Sequence, residues 1–258
     1  MLLRRVIEHV KAQNWTAVAL DFVIVVTGVF MGIQVSNWNE TRKSRALAET
    51  YLARIADDLS VIETSMESNL VMASWVEAHM IDAIDALSSE EIPANAEFLL
   101  DTYISGYQPT GIVADQSLQE LMSSDTFDQI SDATVRERLK RFSLIARNAE
   151  EEFAEQTGYQ SAYRRAMPHR VISLLRTHCG DAGAGRTLEG VTRFVIPDTC
   201  PPALSDEQIE ESVRNLMAEN LLPVLREALA NVQVKQIQYR IVVDEAAALR
   251  DFLKGSGQ

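Results

Sequence analysis

Two hydrophobic patterns follow one another along the first third of this chain. From Thr16 to Val35 apolar residues occupy every side of a helical wheel, and from Leu52 to Leu87 they withdraw to one stripe. The first run is 20 residues long. As a helix it rises about 30 Å, the thickness of a bilayer's hydrocarbon core. Trp15 and Trp38 bracket it, as amphipathic rings do at the two membrane interfaces. A core helix would show a polar face, and this run has none. A cleaved signal peptide needs a small-x-small site next to the apolar run, and the nearest pair, Ala46 and Ala48, lies beyond a polar stretch. The pattern therefore predicts a retained transmembrane helix over residues 15–38.

The second pattern is a strict 3–4 spacing: Leu52, Ile55, Leu59, Ile62, Met66, Asn69, Ala73, Val76, Met80, Ala83 and Leu87, with only Asn69 polar. No Pro or Gly interrupts residues 39–87, so the membrane helix is expected to run on into this coiled-coil-like seam. Val61, Leu70, Val71, Trp75, Ile81 and Ile84 widen the stripe, which favours a helical bundle over a two-stranded zipper. Extended backwards, the seam passes through Trp38 and Gln34.

Shorter helices are expected over Ala94–Ser105 and Gln116–Met122, with a loop at Gly106–Gly111 between them. Ser131 or Asp132 suits the cap of a long helix running to Met167 before Pro168. That helix and Leu52–Leu87 have matched length, as an antiparallel pair requires. One short strand (Val191–Ile196) and two more helices, Asp206–Asn231 and Val234–Leu253, complete the chain. Residues 2–12 place Leu2, Leu3, Val6, Ile7 and Val10 opposite Arg4, Arg5, Glu8 and Lys11, an amphipathic pattern suited to an anionic membrane surface or a partner protein. The expected fold is all-α. An N-terminal amphipathic helix (1–14) and one transmembrane helix (15–38) lead into an acidic helical extramembrane domain (39–258), a long-helix antiparallel bundle with a small disulfide-tied loop.

Charge narrows the partners. Of 24 basic and 37 acidic side chains, residues 1–46 hold six and three, leaving a formal −16 on residues 47–258. So acidic a surface repels phosphate backbones and argues against nucleic acid. Orientation is not settled by charge, because Arg4, Arg5 and Lys11 before the span balance Arg42, Lys43 and Arg45 after it. The two cysteines, Cys179 and Cys200, bound one loop-like stretch. A disulfide there needs an oxidising compartment and stabilises by about 3 kcal/mol; two reduced thiols are the alternative. The disulfide reading puts the N-terminus in the cytoplasm and the domain in the periplasm, across a bacterial inner membrane.

Inside the span, Asp21, Gly28 and Gly32 share one face with Val25 and Val35. Gly28 and Gly32 form a GxxxG pair, which lets two helices approach closely and also occurs by chance. Asp21 on that face points to a partner helix or an ion path, unless it lies shallow enough to reach the interface. A lipid membrane is thus an expected partner, together with a second copy or another membrane protein.

The block GVFMGIQVSNWNETRK (Gly28–Lys43) resembles the N-terminal signature of a family of uncharacterised single-span bacterial membrane proteins, with Gln34, Asn37, Trp38, Asn39 and Glu40 matching its juxtamembrane motif. Leu118–Phe142 resembles that family's second recurring segment through Ile130, Asp132, Arg136 and Leu139. The chain departs from the signature at Ser36, where Asn is usual, and at Met31-Gly32. The resemblance covers about a quarter of the chain and implies membrane anchoring with a helical domain, and no activity.

Catalytic patterns are missing from the sequence. Gly180–Arg186 lacks the Lys-Ser/Thr ending of a phosphate loop. His169, His178, Cys179 and Cys200 match no usual zinc spacing. No catalytic residue, metal or cofactor is expected, and the chain is not expected to be an enzyme. Three function classes remain: a membrane-anchored interaction or scaffold protein, a sensor-like periplasmic ligand-binding bundle, and an accessory subunit of an ion-driven complex using Asp21.

Overall fold

The computed structural model describes residues 15–107, 111–179, 186–188, 191–193 and 204–256, with the side chains of 15–19, 21, 178, 256 and the strand residues outside that description. The expected helix over residues 1–14, the side chain of Asp21 and Cys200 therefore lie outside the described residues. Within them the chain is almost entirely helical. Helix α1 runs unbroken from Trp15 to Ser88, 74 residues. At 1.5 Å per residue it is about 111 Å long. No helix-breaking residue occurs in it apart from Gly28 and Gly32, where the span is apolar all round.

The two sequence patterns divide α1 physically. In the upper part the predicted seam is buried: Ile55, Leu59, Ile62, Met66, Ala73, Val76, Met80 and Ala83 are each at most 2% exposed. In the lower part the apolar residues from Leu20 to Trp38 remain 49–70% exposed, with no protein against them. This lower part is the one helical segment among the described residues long and apolar enough to cross a membrane.

Helix α2 (Ala96–Ile104) is capped by Asn95, whose side chain accepts from the Phe98 amide. Helix α3 (Gln116–Met122) leads through a 3₁₀ turn at Phe127–Gln129 to α4 (Ala133–Ala154). Helices α5 (Tyr159–Ala166) and α6 (His169–Cys179) follow, then strands β1 (Arg186–Leu188) and β2 (Val191–Arg193), then α7 (Asp206–Glu219) and α8 (Leu222–Ser256). The strands pair antiparallel with Thr187 opposite Thr192, so one predicted strand is a small hairpin. Ser205 and Gln208 form a reciprocal capping box at the start of α7.

Three expectations about the bundle change. The antiparallel partner of α1 is α8, not the helix after Asp132. Arg250 of α8 pairs with Glu63, and Gln236 with Glu77, so residue numbers run in opposite directions. Arg141 of α4 pairs with Glu245 and Glu155 with Asn231, so α4 also opposes α8 and runs parallel to α1. Second, the expected break near Asn231–Val234 is absent, and α8 is one 35-residue helix. The break falls at Asn220, the one described non-glycine residue with positive φ (53°), followed by Pro223 in the first turn of α8. Asparagine tolerates that left-handed geometry, and a first-turn proline costs no helical hydrogen bond.

Third, the expected helix from Asp132 to Met167 is cut at Glu155–Gly158. Lys235 explains why. Its side chain is 1% exposed, and Nζ donates to the carbonyls of Phe153 (3.2 Å) and Glu155 (2.7 Å), closing the C-terminus of α4. A cation there satisfies carbonyls that lack intrahelical partners and complements the helix dipole. The chain then turns so that Tyr159 is buried and donates to the Thr102 carbonyl at 2.8 Å. Phe153 stacks on Tyr239 at 4.5 Å, and Gly111 passes so close that an added Cβ would lie 2.8 Å from the Phe153 ring.

Burial holds the Lys235 ammonium below its ordinary pKa, opposed in part by Glu155 and Glu152. Between that lowered value and the unfolded value near 10.5, the unfolded chain binds the extra proton, so this group's contribution to stability rises with pH. Lys235→Met, which leaves both carbonyls without their donor, should cost about 1–3 kcal/mol in urea unfolding at pH 7. The gap between wild type and variant should widen as pH approaches 10.5; a gap that narrows would contradict the assignment.

Candidate interaction site where the long helix enters the bundle

Where α1 leaves its exposed apolar part and enters the bundle, three segments leave a cleft of about 830 Å³. α1 supplies Arg45, Ala48, Glu49, Leu52, Ala53, Ala56 and Asp57; the turn into α4 supplies Gln129–Asp132 and Val135; the end of α8 supplies Leu253 and Lys254. The floor is apolar and buried at Ala48, Ala56, Ile130, Val135 and Leu253. The lining carries both signs, Arg45 and Lys254 together with Glu49, Asp57 and Asp132. An apolar floor with a mixed-charge lining suits an amphipathic peptide or helix, or a small zwitterion, better than a phosphate.

The second sequence motif builds one wall of this cleft. Asp132 caps α4, its carboxylate accepting from the Thr134 amide at 2.7 Å. Arg136, one turn on, folds back so that its guanidinium donates to the Ile130 carbonyl. Ile130 is 5% exposed and Leu139 is fully buried. Those four residues therefore hold a turn against the core, and only Ile130 and Asp132 line the cleft.

The first motif stays below the cleft. Gln34, Asn37, Trp38, Asn39 and Glu40 are exposed on α1, and Thr41 Oγ1 donates to the Asn37 carbonyl at 2.9 Å. Arg45, at the lower edge of the cleft, lies about 10 Å above Trp38 along the helix. Gly28 and Gly32 have no atom within 4 Å of an added Cβ, so their face is open. The structure thus sets the two motifs near one end of the bundle without joining them. The cleft residues Arg45, Glu49 and Lys254 carry no sequence signal of their own, because the cleft exists only once α8 has returned to the start of the bundle.

Cys179 is buried as the last residue of α6, and its expected partner Cys200 lies outside the described residues. His169 opens the same helix and is exposed. Ten residues of helix separate it from Cys179 by about 15 Å, so the two cannot ligate one ion. Among the described residues, one group of ligand-bearing side chains lies close together, His79 with Asp82 and Asp101, far from this end.

Comparison with known proteins gives no match to a family model, to a curated protein or to a solved structure.

Arg136→Ala removes the donor to the buried Ile130 carbonyl. Amide exchange across residues 127–133 should speed up by roughly tenfold or more, equivalent to losing about 1.5 kcal/mol locally. The rest of the bundle should keep its protection; uniform loss of protection would place Arg136 in the global core instead.

Proposed function

We propose that this chain is a membrane-anchored interaction or scaffold protein of the bacterial cell envelope. On this reading α1 crosses the inner membrane, with the N-terminus cytoplasmic and the bundle periplasmic, and the Gly28/Gly32 face meets a partner helix, either a second copy or another membrane protein. The observation that carries the reading is the division of α1. Apolar side chains from Leu20 to Trp38 are exposed on a helix that continues without a break into a packed bundle. Such a surface needs lipid or protein around it. The open glycine face gives a partner helix room to approach. The juxtamembrane residues Gln34, Asn37, Trp38, Asn39 and Glu40 are free to form a collar around that contact. Their resemblance to the single-span family supports the same assignment.

The periplasmic orientation rests on a Cys179–Cys200 disulfide. Cys179 and Cys200 are the two cysteines of the sequence, so each has the other as its one possible partner within the chain. The cleft beside Arg45 favours a second reading, a ligand-binding sensor domain, because its volume is that of a small-molecule site.

Single cysteines introduced along the span test the interaction reading. Gly28→Cys and Gly32→Cys should cross-link to a partner in native membranes, while Val26→Cys and Phe30→Cys, on the opposite face, should not. Cross-linking at none of the four positions, or equally at all, would sink the interface. Alkylation of intact cells should modify Cys179 and Cys200 only after reduction; labelling without reductant in permeabilised cells would invert the topology.

A further inference from the structure

A second cluster of polar groups lies at the far end of the bundle, about 60 Å along α1 from Trp38. His79 and Asp82 sit one turn apart on α1, facing Asp101 of α2, and one ligand atom from each lies within 4.8 Å of the other two. His79 Nδ1 is 2.7 Å from Asp101 Oδ1. Trp75, one turn before His79, stands edge-on to the imidazole at 5.1 Å and limits its rotation. Asp101 is 8% exposed, whereas Asp82 is open to solvent.

The charges of this cluster do not balance. Two carboxylates this close repel one another, and burial raises the cost of the Asp101 charge. Among the described residues, no lysine or arginine pairs with either carboxylate; the ion pair of Asp101 runs to His79 alone. One imidazolium neutralises at most one of the two. A divalent ion in the same place neutralises both.

We propose that His79, Asp82 and Asp101 form a divalent transition-metal site. One imidazole nitrogen and two carboxylate oxygens are a donor set for zinc or a similar borderline ion, with water completing an open position. Bonds of about 2.0–2.2 Å place the donors of a tetrahedral site roughly 3.3–3.6 Å apart. Reaching that spacing requires the solvent-exposed Asp82 carboxylate to move inward and the 2.7 Å contact between His79 and Asp101 to open. A metal ion binds the imidazole through a ring nitrogen that carries no proton. Bound there, the ion ties α2 to α1 at the end of the bundle remote from the membrane. The site is independent of the membrane reading, since none of its residues lies near the span.

Titration calorimetry with Zn²⁺ alone, on the metal-stripped full chain in detergent, tests the assignment. One ion should bind per chain, and binding should raise the melting temperature. His79→Ala and Asp82→Asn should each weaken that binding by roughly tenfold or more and abolish the thermal shift. His169→Ala should change neither. Asp82 is exposed, so its variant keeps the fold even if removing His79 or Asp101 disturbs the α1–α2 contact. A wild-type chain that binds no zinc, or an Asp82→Asn chain that binds as tightly as wild type, would overturn the proposal.

Discussion

Apolar side chains of α1 from Ile55 to Ala83 leave water against α8, which runs back along them from Leu225 to Leu253. Each fully buried large side chain in such a seam contributes about 1.5–3 kcal/mol relative to exposure. The chain must return over the whole length of the bundle to make this contact, so α8 ends where α1 emerges. α4 packs on the other side of α8, and its N-terminal turn meets the same end. The cleft beside Arg45, the capped turn at Asp132 and the last turn at Lys254 all follow from that return. Without the seam, the lower part of α1 would be an apolar helix attached to nothing.

α1 itself is amphipathic only above residue 48. From Phe22 to Ile33 its exposed surface is apolar on nearly all sides. Water and a protein core are both poor surroundings for such a segment, which is why we assign it to a bilayer. Because no Pro, π-bulge or loop separates the two halves, the orientation of the bundle is tied to that of the span. A partner that tilts or rotates the lower helix would move the cleft with it.

Much of this was legible in the sequence for identifiable reasons. The seam from Ile55 to Ala83 follows a local rule, 3–4 spacing, and every one of its predicted apolar positions in that range is buried. The length of the apolar run announced the exposed half. α3 and the Asp132 cap were equally local. The break at Glu155–Gly158 was not legible, since the group that closes α4 is Lys235, some 80 residues away, and a lone Gly158 is tolerated in helices. The boundary at Asn220 has a local signal too: an asparagine before Leu221-Leu222-Pro223 carries the marks of one helix ending and the next beginning. The pairing of α1 with α8 rather than α4 could not come from length matching, because the 35 residues of α8 are divided by the sequence pattern between two shorter helices, Asp206–Asn231 and Val234–Leu253. The Ile130–Leu139 motif was visible as a string, but its task of folding a turn against the core appears only with Arg136 bent back to Ile130.

The most direct measurement is the distance across the point where α1 passes from its exposed to its buried half. Spin labels carried on ketone-bearing residues at positions 36 and 54, with the cysteines untouched, lie five turns apart on one helix face. In lipid nanodiscs the account predicts a single narrow distribution centred near ~27 Å. A broad distribution, or a markedly shorter mean, would show that the helix breaks at the membrane surface. The span would then be a tether and not a rigid extension of the bundle.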